Sequence, residues 1–230
     1  MGRLLIPIVF VTLLINSSLT HIFAVSDGVY VIDFKGDVKV VRQGTNTGVQ
    51  CFNNMGVDPG DIIHTGPGSS ATIGYVSRSS FNAKISENTL VQIRDGQPFW
   101  MELSTGGLLT RLGNLQPGEQ FMIKTPVGAC GARGTGWYMT TNGHEDHITA
   151  FEHNVYYRPL DQYGDLSENE IWINEGYARK AVKYEEPGQM TAADPGFLDY
   201  LWKEAHTMAE IGSAHTGIIE KKNIGTNGTI

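Results

Sequence analysis

An all-β fold follows from three features of this 230-residue sequence. It is expected to be a single domain of many short strands with one C-terminal amphipathic helix. β-Branched and aromatic residues recur in short alternating runs, the pattern of strands with one buried face. Glycine is abundant, 28 residues against 9 prolines, and punctuates nearly every run. Only one stretch, near the end, carries its apolar residues at helical spacing. A sandwich-like roll and a β-solenoid both fit this turn spacing.

Val29–Ile32 and Val38–Val41 read as the first strands, separated by Gly36-Asp37. Residues 44–54 are polar and Gly/Asn-rich and read as a loop. Val57-Asp58-Pro59-Gly60-Asp61 reads as a tight turn, because Pro presets φ and Gly supplies a positive φ. Ile62-Ile63 leads into a second turn, Thr65-Gly66-Pro67-Gly68. Alternation resumes at Ala71, Ile73 and Tyr75, at Phe81, Ala83 and Ile85, and at Leu90, Val91 and Ile93. Asp95–Pro98 forms the next turn, and Phe99–Leu103 and Leu108–Leu112 flank Thr105-Gly106-Gly107. Phe121 and Ile123 run into Thr125-Pro126, a small-residue corner, and Arg133-Gly134-Thr135. Asn142-Gly143 predicts a type I′ hairpin pairing Trp137–Thr141 with His144–Phe151. Val155–Tyr157, Ile171–Ile173 and Ala178–Tyr184 complete the strands, and the last of these is expected to close the sheet.

The helix is expected over 194–211. Asp194 serves as N-cap and Pro195 as first helical residue, with Phe197, Leu198, Leu201, Trp202, Ala205 and Met208 on one face. Residues 212–230 are expected to fray. At the other end, Arg3 followed by the apolar run Leu4–Leu14 and a small residue at Ala24 reads as an export signal over 1–24, with an uncleaved anchor as the alternative. The expected location is periplasmic or secreted.

The chain carries 17 basic and 24 acidic side chains. Cleavage after Ala24 removes Arg3 and no acid, leaving 16 basic against 24 acidic. Such a balance opposes nucleic acid and anionic lipid head groups as partners. Cys51 and Cys130 would meet an oxidising compartment. They are either a disulfide, which in the chain-entropy model stabilises by roughly 3–5 kcal/mol, or two buried free thiols.

The order of the punctuating residues resembles the FecR domain family over residues 28–185. Gly36-Asp37-Val38-Lys39-Val40 is similar to the family's opening G-x-V strand, and Gly60-Asp61-Ile62-Ile63-His64-Thr65-Gly66 to its G-D-x-I-x-T-G turn. Ser70–Ile73, Asn88-Thr89 and Leu103–Leu109 follow in family order. Phe121–Pro126 and then Arg133-Gly134-Thr135 resemble its F-x-V-x-T-P…R-G-T core. The sequence departs from the family at Glu152-His153-Asn154, where a Gly usually follows the strand, and at Ser77-Arg78-Ser79, usually D-G-S. Members that regulate iron uptake carry a sigma-factor-binding segment before a membrane helix, where this sequence is read as a signal-like segment. The resemblance therefore implies the extracytoplasmic module: an exported, non-catalytic protein, possessing no cofactor, that binds a protein partner or cell-envelope glycan, with surface signalling among the roles the resemblance implies. An envelope structural or assembly protein is the alternative, and a carbohydrate-active hydrolase a further one. Arg133, between glycines and with five donors, is expected to tie strand-end carbonyls together.

Residues that would carry chemistry are sparse, and no catalytic, cofactor or metal residues are assigned. His144, Glu145, Asp146, His147, Glu152 and His153 are the sole metal-type cluster, but strand alternation splits them between two faces. There is no G-x-S-x-G elbow and no phosphate-loop Lys after Gly66–Ser70. Glycosidase carboxylates have no fixed sequence spacing and leave no signature. Trp100, Trp137, Tyr156, Tyr157 and Trp172 are candidates to stack on sugars or to fill the core.

Overall fold

The computed structural model describes residues 28–75, 78–94, 99–113, 115, 118–132 and 134–226. The export-signal segment 1–24, the turn Asp95–Pro98, Ser77 and Arg133 lie outside the described residues.

Among the described residues, seventeen strands form one hydrogen-bonded sheet that folds into two layers through a single bent strand, β9 (Phe99–Leu112). The first layer runs β4 (Met55–Val57), β1 (Val29–Lys35), β6 (Ser70–Tyr75), β7 (Arg78–Ile85), the second half of β9, β12 (Gly136–Thr141), β13 (Glu145–Glu152), β16 (Tyr177–Val182) and β17 (Thr191–Ala192). The second layer runs β3 (Gly48–Gln50), β2 (Val38–Val41), β5 (Ile62–Thr65), β8 (Leu90–Ile93), the first half of β9, β10 (Phe121–Lys124), β11 (Gly128–Ala132), β14 (Val155–Pro159) and β15 (Ile171–Ile173). All pairings except β9–β10 are antiparallel. The sandwich-like roll is therefore the architecture, and the solenoid, which stacks parallel coils, is not. The sheet is not closed: β16 pairs with β13 and β17 and extends the first layer rather than sealing it.

The core lies between the layers. Val31, Ile73, Ile85, Leu108, Trp137 and Ile148 of the first layer pack with Val40, Ile63, Val91, Leu103, Ile123 and Tyr157 of the second. Strand alternation delivers these residues, each worth about 1.5–3 kcal/mol on full burial of an aliphatic side chain.

The helix α1 (Pro195–Thr226) covers the outer face of the first layer. Asp194 Oδ1 accepts the Phe197 N–H at 2.8 Å, an N-cap. Leu201, Ala205 and Met208 then bury against Leu109 of β9 and Phe151 of β13. The helix does not stop at 211. Gly212 continues it, because its missing Cβ allows close approach to Asn82 of β7: a Cβ there would meet the Asn82 Oδ1 at 2.4 Å. A glycine inside a helix costs only about 1 kcal/mol, which this packing offsets.

Four further segments differ from their sequence reading. The loop 44–54 contains β3, which pairs with β2. Thr105-Gly106-Gly107 does not end a strand; it is the bend of β9, with Gly106 at φ +96°. The small-residue corner after Pro126 is β11, buried at all five positions. Its glycines make room for the tyrosines of β14, since a Cβ on Gly131 would lie 2.3 Å from the Tyr156 ring and one on Gly128 2.2 Å from the Tyr157 oxygen. The hairpin pairs β12 with β13 but not through a type I′ turn. Thr141 pairs with Asp146, and only Gly143 has positive φ. Asn142 Oδ1 accepts the N–H groups of His144 and Glu145 at 2.9 and 2.8 Å, so the side chain builds a wider turn.

Candidate functional site

Three polar corners hold the motif residues. In the first, Gly60 adopts φ +94° and leaves Asp61 buried under the turn. The Asp61 carboxylate accepts from Arg42 Nη1 at 2.6 Å, from the Gln43 N–H at 2.8 Å and from the Asp58 N–H at 3.0 Å. Burial works to raise its pKa. The backbone donors and the Arg42 guanidinium outweigh burial and hold the carboxyl below its ordinary value. In the second corner, buried Thr65 donates to the Ser86 carbonyl at 2.5 Å and accepts the Thr89 N–H at 3.0 Å. Thr89 Oγ1 in turn accepts the Gly107 N–H at 2.9 Å at the bend of β9. Gly66 donates to the Asp37 carbonyl at 2.9 Å, linking this corner to the crossing between β1 and β2.

The third corner is built by Thr125-Pro126. Thr125 Oγ1 accepts the N–H groups of Val127 and Gly128 at 3.1 and 3.0 Å and donates to Asp146 Oδ2 at 2.6 Å. Tyr157 donates to the same oxygen at 2.9 Å. Asp146 is fully buried and its Oδ1 makes no hydrogen bond among the described residues. Burial raises its pKa, and these hydrogen bonds offset only part of the rise. Burial and the neighbouring Asp146 push the Cys130 thiol well up, and burial likewise raises Cys51. Both cysteines are buried free thiols rather than a bridge. Gly134 takes φ +70° and its carbonyl contacts His153 Nδ1 at 3.1 Å; the Thr135 carbonyl accepts the Leu112 N–H at 2.8 Å. His153 itself has φ +56°, so a histidine occupies the left-handed position of the turn after β13.

The metal-type cluster is dispersed. Asp146 points into the core, Glu145 pairs with Lys180 at 2.7 Å, and His153 turns to a carbonyl. Among the described residues no three His, Cys, Asp or Glu are grouped as metal ligands. Of the aromatic candidates, Trp137, Tyr156 and Tyr157 are buried and Trp172 is 48 % exposed, packed against Tyr156.

A cleft of about 830 Å³ opens where the first layer meets the start of α1. It lies beyond the ends of β1, β6, β7 and β12, over the bend of β9. Lys35, Lys84, Tyr138, Thr140, Glu145 and Tyr200 represent its walls. Gly107 forms part of the floor, and the Tyr138 hydroxyl occupies the space a Cβ on it would need, 2.5 Å away. Phe197 contacts Tyr138 edge-on at 5.7 Å and stacks on Tyr200 at 6.2 Å. The sequence reading missed these residues. Tyr138 falls within the strand read over Trp137–Thr141, Lys84 stands between Ala83 and Ile85, Tyr200 is absent from the apolar face assigned to the helix, and no short motif joins them.

No family model matches the chain, and no curated protein matches it. The solved structures that are similar in part include two of proteins provisionally described as anti-sigma factors from Parabacteroides distasonis. One is 11% identical with a TM-score of 0.44, covering 58% of this chain and 60% of that one. The other is 10% identical with a TM-score of 0.39, covering 50% and 52%. The chain thus spans about 60% of the first neighbour's length or less. Likeness this low establishes no common family and no shared function.

Proposed function

We propose that the chain is a non-catalytic binding module of the cell envelope, exported through residues 1–24, that presents the cleft beside α1 to its ligand. The observation that carries this reading is the contrast in hydrogen bonding. The motif residues Asp61, Thr65 and Thr125 spend their polar atoms inside the fold. The cleft, in contrast, holds hydroxyls of Ser70, Thr105 and Thr140 that make no hydrogen bond among the described residues. The ordered FecR-like motifs support an extracytoplasmic module. The acidic balance of the chain argues against nucleic acid and anionic lipid.

Two carboxylates line the cleft, and neither is set up as a general acid. Glu87 accepts the Gly68 N–H at 2.6 Å. Lys180 holds the Glu145 carboxyl below its ordinary value, the wrong direction for a proton donor near neutral pH. Capture of binding partners from an envelope fraction tests the reading. Wild-type protein should retain a ligand that the Lys35→Glu, Thr140→Lys double variant loses. Equal capture by both proteins, or glycan hydrolysis abolished by Glu87→Gln or Glu145→Gln, would overturn it.

A further inference from the structure

We infer that the cleft takes an uncharged pyranose chain, an inference that rests on the cleft being the binding face. Its lining excludes the alternatives one by one. No Val, Ile, Leu, Met or Phe lines it, so an apolar peptide or a partner's amphipathic helix finds no aliphatic surface to bury. Two lysines, Lys35 and Lys84, stand against two glutamates, Glu87 and Glu145. Those charges are largely engaged already: Lys84 pairs with Glu204 of α1, and Glu145 with Lys180. A strongly anionic or cationic ligand would have to break these pairs and would gain no net field in return.

What the cleft offers instead suits a sugar. Tyr200 is 52 % exposed, with Phe197 stacked against its ring and the remainder of the ring turned to the cleft. Tyr138 forms a second ring at the inner wall. A pyranose has an apolar face of axial C–H groups that stacks on such rings, and equatorial hydroxyls around its edge. Those hydroxyls meet Ser70, Thr105, Thr140 and the ammonium of Lys35, which has no ion-pair partner among the described residues. The cleft is open, which suits a segment of a chain more than a monosaccharide, and its volume lies within the roughly 300–1,000 Å³ of small-ligand sites.

Calorimetric titration with chitotetraose, cellotetraose and the anionic tetragalacturonate tests this. At least one neutral tetrasaccharide should bind, tetragalacturonate should not, and Tyr200→Ala should weaken binding roughly five- to tenfold with an unchanged melting temperature. Preferential binding of tetragalacturonate would overturn the uncharged class, and undiminished binding by Tyr200→Ala would overturn the stacking. If none of the three binds while envelope capture still depends on Lys35 and Thr140, the glycan inference falls and the cleft reading stands. If capture is also independent of those residues, both fall.

Discussion

The corners and the cleft lie within one layer of each other and use polar residues in opposite ways. At the corners Asp61, Thr65 and Thr125 close their own backbone: Asp61 gathers three donors, and Thr125 bridges two amides and a carboxylate. At the cleft, hydroxyls and a ring are left over. A buried polar group without a partner costs about 1–3 kcal/mol, so folding favours the first arrangement, with Thr135 Oγ1 and Asp146 Oδ1 as exceptions among the described residues. Exposed hydroxyls are satisfied by water and carry no such constraint. The residues most recognisable in the sequence are therefore those that specify the roll, and the residues free to bind are the inconspicuous ones.

The comparison can be broken most directly at the corners. Asp61→Ala strands the Gln43 and Asp58 amides and leaves Arg42 with the Gly56 carbonyl, and should cost about 3 kcal/mol of unfolding free energy in urea titration. Thr125→Val keeps the shape but orphans the Val127 and Gly128 amides, with an expected loss of about 2 kcal/mol. Neither should shift ligand affinity in the fraction that remains folded. A corner variant that folds normally and loses binding would move the site to the corner.

A smaller effect separates the two buried aspartates. Asp61 has a depressed pKa in the fold, so its contribution is present above the ordinary carboxyl value and is lost as pH falls through the folded value. Asp146 has a raised pKa, so its contribution is full below the ordinary value of 3.8 and is lost as pH rises through the folded value. Asp146→Asn should therefore gain stability relative to wild type as pH rises, whereas Asp61→Asn should lose ground over the same range. The two variants titrating in the same direction would contradict the assignment. The smallest expected effect is at His153, whose left-handed backbone strains a non-glycine residue by roughly 1 kcal/mol. His153→Gly relieves that strain but gives up the Gly134 contact, so thermal unfolding should change by a few degrees at most and binding not at all.

Much of the roll was legible because alternation reports one buried face. Ala71, Ile73, Ala83 and Ile85 point inward as their spacing required. β11 was not legible, since Gly-Ala-Cys-Gly-Ala carries no alternation and reads as a corner; its strand character comes from the tyrosines of β14 lying over the glycines. The continuity of β9 was hidden for a related reason. Gly106 looks like a terminator, yet it bends the strand against Thr89, whose Cα would lie 2.5 Å from an added Cβ. The length of α1 was underestimated because Gly212 suggested a stop, and its packing partner Asn82 is distant in sequence. The cleft was the least legible part. Its lining comes from β1, β6, β7, β9, β12, β13 and α1, brought together only by the fold.

The central claim, that the recognisable motif builds the frame while the cleft binds, is tested by measuring melting temperature and chitotetraose or cellotetraose affinity together for Asp61→Asn and Tyr200→Ala. The account expects Asp61→Asn to lower the melting temperature and leave affinity unchanged, and Tyr200→Ala to do the reverse. Loss of affinity in Asp61→Asn at temperatures where it is fully folded, with Tyr200→Ala binding normally, would contradict it.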